Sequence, residues 1–188
     1  MNLEEMLKEL CLAPSPSGYE KKAADVYSRL MAPLVDRISL DRMGNVTATL
    51  EGTDEQAPVI MVYAHLDQLG FIVRRIEPDG YIQVDRMGGI PEKVLPGLRV
   101  VVRTKQGEFV PGVIGIKAHH AASAEEKYKV DAVTSLFIDV GACSQQEVRD
   151  LGIDIGCPVV YEPRFQTLAG GKVSATALDD RGGVAAMV

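Results

Sequence analysis

Three residues carry most of the chemistry this sequence could perform. His65 and Asp67 stand two positions apart at the end of an apolar run, Val59-Ile60-Met61-Val62-Tyr63-Ala64. Far downstream, Ala177-Leu178-Asp179-Asp180-Arg181-Gly182-Gly183 opens a helix with two adjacent carboxylates. Residues two apart on an extended segment project to the same side, so Asp67 can orient the His65 imidazole or a neighbouring ligand. A lone histidine after an apolar strand is more often a hydrogen-bonded structural residue than a ligand, and histidine-x-aspartate alone is a weak motif. The pair Asp179-Asp180 shifts that balance. One aspartate is enough to cap a helix. A second exceeds that need, and a carboxylate with two oxygens can bridge two cations. Gly182-Gly183 weaken the helix while allowing close backbone approach, which calls for a packing or functional reason. Imidazole plus carboxylates at the ends of sheet strands is how proteins build hydrolytic metal sites.

These residues need a scaffold to bring them together. Leu3, Met6, Leu7, Leu10 and Cys11 recur at helical spacing, with Asn2 and Glu5 placed to cap that helix. Pro14-Ser15-Pro16 ends it. Ser17-Gly18-Tyr19-Glu20 has capping-box spacing before a second helix that carries Ala23, Val26, Tyr27, Leu30 and Met31. Val35 to Leu40 and Val46 to Leu50 read as a hairpin around Gly44-Asn45. Val59 to Tyr63, apolar on both faces, is expected to be a buried central strand. His65 and Asp67 would then emerge at its carboxyl end, where open α/β sheets place their ligand sites.

After Asp67 a doubly wound fold should supply a crossover helix, but short β segments follow. They are Phe71 to Ile76, Tyr81 to Val84 after the Pro78-Asp79-Gly80 turn, Leu98 to Arg103, Phe109 to Ile116, Leu136 to Val140 and Pro158 to Tyr161. One helix interrupts, with Ser144 and Glu147 at capping-box spacing. The expected fold is therefore α/β: a helix-covered mixed sheet interrupted by an inserted small β-barrel or sandwich. Residues 1–68 form the first part of the α/β domain, residues 69–170 the insertion, and residues 171–188 the resumed domain, which is incomplete at its C-terminus. Lys172 to Ala175 is expected to rejoin the main sheet.

Composition narrows the function. Hydrophobic residues make up 46% and charged residues 24%, enough apolar material for a packed core rather than a disordered chain. The net charge of −6, with scattered basic residues, argues against nucleic-acid binding. No apolar run is long enough to span a bilayer. Cys11, Cys143 and Cys157 are widely spaced and odd in number, so no disulfide framework is expected. The N-terminus does not read as a signal peptide. A cytoplasmic protein is inferred. His119-His120 is expected to lie in an exposed loop. The phosphate-loop pattern and the Gly-x-Ser-x-Gly elbow are both absent from the sequence.

In order and spacing, six strings resemble the tetrahedral aminopeptidase family, the glutamyl aminopeptidase or cellulase-M-like metallopeptidases. They are Ser15-Pro16-Ser17-Gly18-Tyr19-Glu20, Asp41-Arg42-Met43-Gly44-Asn45, Ala64-His65-Leu66-Asp67-Gln68-Leu69-Gly70-Phe71, Gly112-Val113-Ile114-Gly115, Ile138-Asp139-Val140-Gly141-Ala142 and Ala177-Leu178-Asp179-Asp180-Arg181-Gly182. The resemblance implies a di-metal exopeptidase that removes N-terminal residues from peptides through a metal-activated water. It implies two divalent ions per subunit, zinc or cobalt, with His65 holding one and Asp179 bridging both. It assigns Asp67 to the catalytic machinery as the orienting carboxylate behind His65. It further implies a cis peptide at Asp179–Asp180, dimerisation through the β insertion, and homo-oligomers in which dimers build a dodecamer. The family's general base and remaining ligands lie C-terminal to Asp179, so the 188-residue chain is expected to be an inactive part of a longer enzyme. Two alternatives stand beside this: a non-catalytic assembly module, and a related di-metal amidase or deacylase.

Overall fold

The computed structural model describes residues 2–54 and 56–188. The chain divides into two compact units. One comprises Met1–Gln68 and Pro163–Val188, the other Leu69–Glu162. Each is built around its own apolar cluster.

In the first unit, α1 (Leu3–Cys11) begins with the expected cap. Asn2 Oδ1 accepts from the Glu5 amide at 2.9 Å, and Glu5 Oε2 accepts from the Asn2 amide at 3.0 Å. Such a reciprocal pair satisfies two of the four orphan donors of a helix start. The second helix, α2 (Lys21–Met31), is capped differently from the sequence expectation. Glu20, not Ser17, is its N-cap residue and makes no side-chain cap. The amide of Ala23 instead donates to Ser15 Oγ at 3.0 Å, and Glu20 Oε1 accepts from the Gly18 amide at 2.6 Å. The hydroxyl expected from Ser17 is delivered from two residues earlier, because a tight turn lies between Pro16 and Tyr19 (Tyr19 N to Pro16 O, 2.8 Å).

The hairpin of β1 (Arg37–Leu40) and β2 (Val46–Thr49) pairs in antiparallel register, Leu40 opposite Val46. Its turn is held by Asp41, whose carboxylate accepts from the Met43 and Asn45 amides at 2.8 and 2.9 Å. α4 (Leu178–Ala186) completes the helical part. Leu10, Tyr27, Leu30, Met31, Val184 and Ala185 form the core, and the half-buried Ala64 and Leu66 pack against it.

Val59 to Tyr63 departs from expectation. The run forms no strand, and its side chains are 71% to 97% exposed. A strand that is apolar on both faces is buried only when strands and helices cover it, and among the described residues none pairs with it. An uncovered apolar segment with unpaired backbone is a template for association. The chain is therefore expected to self-associate as its concentration rises. Ile60→Lys combined with Val62→Lys should shift sedimentation toward monomer with the circular dichroism unchanged. Equal association of the variant would mean that other surfaces drive it.

The second unit is a closed six-stranded barrel, ordered β3-β4-β7-β6-β5-β8 with every described pairing antiparallel. Its strands are β3 (Gly70–Ile76), β4 (Ile82–Met87), β5 (Arg99–Arg103), β6 (Phe109–Gly115), β7 (Phe137–Asp139) and β8 (Pro158–Tyr161). Alternation sets the inside: Val100 and Val102 of β5 are buried while Arg99 faces solvent. They join Phe71, Val73, Ile82, Val84, Ile138 and Val159 in one core. Closure leaves no free edge. The short α3 (Gln145–Asp150) is capped by Ser144 Oγ, which accepts from the Glu147 amide at 3.2 Å. His119 and His120 lie in an exposed 3-10 turn.

The second unit ends at Glu162, and Pro163–Val188 groups with the first. Among the described residues β10 (Val173–Ala175) pairs only with β9 (Phe165–Thr167), and both strands belong with the first unit. Among the described residues no helix is long and apolar enough to cross a membrane.

Candidate active site

The segment carrying His65 and Asp67 forms no strand, yet its side chains alternate. Ala64 and Leu66 turn toward the helical core, so His65 and Asp67 turn away from it together. α4 contributes Val184 and Ala185 to the same core. A single apolar cluster thus anchors both pieces of chain, and His65 meets Asp179 across 114 residues of sequence.

The start of α4 divides labour between its two aspartates. Ala177 adopts a left-handed conformation (φ 61°), the Asp179–Asp180 peptide is cis, and neither aspartate has helical dihedrals. The Asp180 carboxylate accepts from the Gly183 amide at 3.0 Å, an N-cap bond three residues on. That carboxylate fills the place a Cβ on residue 183 would occupy, which accounts for Gly183. Nothing in the structure explains Gly182. With Asp180 capping, Asp179 is released to face His65.

The resulting constellation is a line of four side chains. Asp179 Oδ1 lies 3.0 Å from His65 Nε2, Asp67 Oδ1 lies 3.0 Å from His65 Nδ1, and Ser17 Oγ donates to Asp67 Oδ2 at 2.6 Å. The backbone carbonyl of Asp67 also faces His65 Nδ1, at 3.2 Å. Asp179 is 96% exposed and His65 about half so, leaving the site open to solvent.

Electrostatics follow from these contacts. Partial burial pulls the His65 pKa down, but hydrogen bonds to Asp179 and Asp67 outweigh it and raise the pKa above the ordinary imidazole value. The Ser17 hydroxyl holds the Asp67 carboxyl below the usual carboxylate range, against partial burial and with help from His65. Beneath the site Arg181 is fully buried. Its Nη2 reaches the Ala13 carbonyl at 3.5 Å, and its Nε and Nη1 have no hydrogen-bond partner among the described residues. Burial pushes its pKa down to about 10, with Cys11 and Asp67 pulling the other way. The buried Cys11 thiol is pushed up to about 11 by the same desolvation.

Nε2 of His65 and Oδ1 of Asp179 are both good donors to a borderline-soft ion. Two such donors on one tetrahedral ion, with bonds near 2.1 Å, stand roughly 3.4 Å apart, and the observed 3.0 Å is within about half an ångström of that. The pair fits one ion as two of its ligands. Among the described residues no three His, Cys, Asp or Glu side chains are placed to hold one metal ion together, so the set is short of the three ligands typical of a catalytic zinc.

Sequence reasoning named His65, Asp67 and Asp179, and the structure brings all three together. It missed Ser17 and Arg181. Ser17 was absorbed into an expected capping box. The only sequence signal that could have rescued it is the redundancy of hydroxyls in Ser15-Pro16-Ser17, where one suffices for the cap.

Comparison with known proteins gives a consistent answer. Residues 44–188 match the family model described as M42 glutamyl aminopeptidase. The lysyl aminopeptidase of Pyrococcus furiosus is 32% identical over 180 residues, which is 94% of this chain and 51% of that protein. An aminopeptidase structure from the archaeon Desulfurococcus kamchatkensis superposes with a TM-score of 0.91 at 38% identity, covering 98% of this chain and 50% of that one. The TET1 peptidase of Pyrococcus horikoshii, described as able to assemble into a tetrahedron or a large octahedral shell, superposes at 0.86 with 32% identity, covering 99% and 54%. This chain therefore spans about half the length of the relatives it matches. On the match over residues 44–188, the chain belongs to the M42 glutamyl aminopeptidase family.

Proposed function

We propose that the chain carries part of the active centre of a metal-dependent aminopeptidase that removes N-terminal residues from peptides. The observation that carries this reading is the approach of His65 Nε2 to Asp179 Oδ1 at 3.0 Å, with Asp67 behind the imidazole. In this reading His65 would hold one divalent ion and Asp179 would be shared between two. Asp67 fixes the ring so that Nε2 points outward. The ions would be zinc or cobalt, and when bound they would supply Lewis-acid activation of water at neutral pH. Asp180 caps α4 and holds Asp179 in place. The exposure of Asp179 leaves room for further ligands from a longer chain.

The barrel unit is read as a dimerisation domain and the whole protein as a cytoplasmic homo-oligomer of dimers, by likeness to the assembling TET1 peptidase. Since no three donors are placed to hold one ion among the described residues, the 188 residues alone are proposed to be inactive.

The test is complementation. The chain is fused or co-expressed with the C-terminal half of a relative such as the Pyrococcus furiosus lysyl aminopeptidase. Hydrolysis of N-terminal aminoacyl reporters should appear only in the pair, vanish with a chelator and return with cobalt or zinc. Turnover that survives both chelation and His65→Ala would overturn the reading.

A further inference from the structure

Among the described residues no strand lies beside Val59 to Tyr63, so the chain leading into His65 has little to hold it. Ala64 and Leu66 touch the helical core. The far end of the segment is fixed by Gln68, which is buried. The Gln68 amide donates to Ser15 O, and Gln68 Oε1 accepts from the Ser15 amide, both at 3.0 Å. Gln68 also forms a parallel bridge with Pro16.

The Gln68 side chain here does what a neighbouring strand would do. One residue takes both main-chain groups of Ser15, which is itself fully buried. A buried N–H left without a partner costs about as much as a lost hydrogen bond, so the need of that donor holds residues 15 and 68 together. Ser15 is in turn tied to the start of α2. Its Oγ accepts from the Ala23 amide at 3.0 Å and donates to Ala13 O at 3.2 Å. His65 and Asp67 therefore end on a point anchored to α2. Asp179 rides on α4, whose Val184 and Ala185 share a core with Tyr27 and Leu30 of α2. The distance between His65 and Asp179 is thus referred to α2 from both sides.

We propose that Gln68 is a positioning residue: by capturing both main-chain groups of Ser15 it takes the place of a neighbouring strand and holds His65 and Asp67 at a fixed separation from Asp179. Its consequence for a metal ion rests on the proposed function above, but the clamp does not.

The experiment has two arms. In the metal-free 188-residue chain, amide hydrogen exchange is followed at residue 68. Gln68→Met, similar in shape but without the acceptor, should speed that exchange about fivefold relative to the amides of α2, the effect of one lost hydrogen bond. In the complemented pair, cobalt binding is titrated by visible absorption. Gln68→Met should weaken it about tenfold. Gln68→Glu, which keeps an oxygen at the same reach, should restore it. Ser15→Ala is the control: it removes the bonds to Ala23 and Ala13 but keeps the amide and carbonyl that Gln68 holds. It should lower the urea midpoint and leave cobalt affinity unchanged. A merely structural glutamine would leave cobalt affinity level in Gln68→Met, or let it fall as far in Ser15→Ala as in Gln68→Met. Either result overturns the proposal, and so does unchanged exchange at residue 68. Should Gln68→Met fail to fold, Gln68→Asn takes its place with the same expectations, because its amide is one methylene short of Ser15. If the exchange responds as stated but neither His65→Ala nor Asp179→Ala changes cobalt binding, the metal reading falls and the clamp stands.

Discussion

Asp179→Ala, made in the complemented enzyme, is expected to lower aminoacyl-reporter kcat/KM by about a thousandfold, and His65→Ala by a similar factor. Residues that only orient a ligand cost about 10- to 100-fold when removed, and a ligand that bridges two ions should cost more. Asp67→Asn belongs to the first class, because its amide oxygen can still accept from His65 Nδ1. Asp180→Ala should act mainly through the α4 cap, at about 1 kcal/mol of stability, since its carboxylate faces the Gly183 amide. A larger catalytic loss for Asp180→Ala than for Asp179→Ala would reverse the division of labour at the helix start.

The pH dependence carries a sign. A ligand imidazole must be neutral, so protons compete with the ion below its pKa. The contacts with Asp179 and Asp67 raise that pKa. The acid limb of metal binding should therefore lie above the ordinary imidazole range in the unsubstituted protein and move down in Asp67→Asn. Stability of the metal-free chain runs the opposite way. A raised imidazole pKa contributes stability that is fully present below the unfolded value and is lost as pH rises through the folded one. Metal-free unfolding free energy measured across this window should fall with rising pH, and Asp67→Asn should flatten the slope.

The limits of the sequence reading follow from what kind of information each feature needs. The barrel strands were legible because turns at Gly80 and Gly107 and alternation along β5 are local signals. The pairing of His65 with Asp67 was legible because residues two positions apart on alternating chain share a side. Its meeting with Asp179 was not a local property. It came from the order of several short strings, and the structure supplies the cause in the shared core of Leu66, Val184 and Ala185. The burial of Val59 to Tyr63 failed as an expectation because burial belongs to the neighbours of a strand, not to the strand. Ser17 was missed for a related reason. Capping-box spacing is a statement about one helix, and the true acceptor of its hydroxyl lies 50 residues away.

Arg181→Met is expected to make the first unit more stable, by about 1–3 kcal/mol. The guanidinium is fully buried, two of its nitrogens have no partner among the described residues, and its one bond is long at 3.5 Å. A buried cation so placed costs more in desolvation than it recovers, whereas methionine fills a similar volume without a charge. Arg181→Ala removes the same charge but leaves a cavity, worth about 2–4 kcal/mol in the other direction. The expected order of stability is therefore Met, then Arg, then Ala. Far-UV circular dichroism during urea unfolding reads this out, because α1, α2 and α4 all lie in the first unit. The gain should come with a loss at the site. The charge of Arg181 and the Asp67 carboxylate attract one another, so Arg181→Met should loosen Asp67 and weaken its hold on His65. A methionine variant that is less stable than the unsubstituted protein would show that this attraction outweighs the cost of burying the cation, and that Arg181 is a structural tie rather than a strained support for the site.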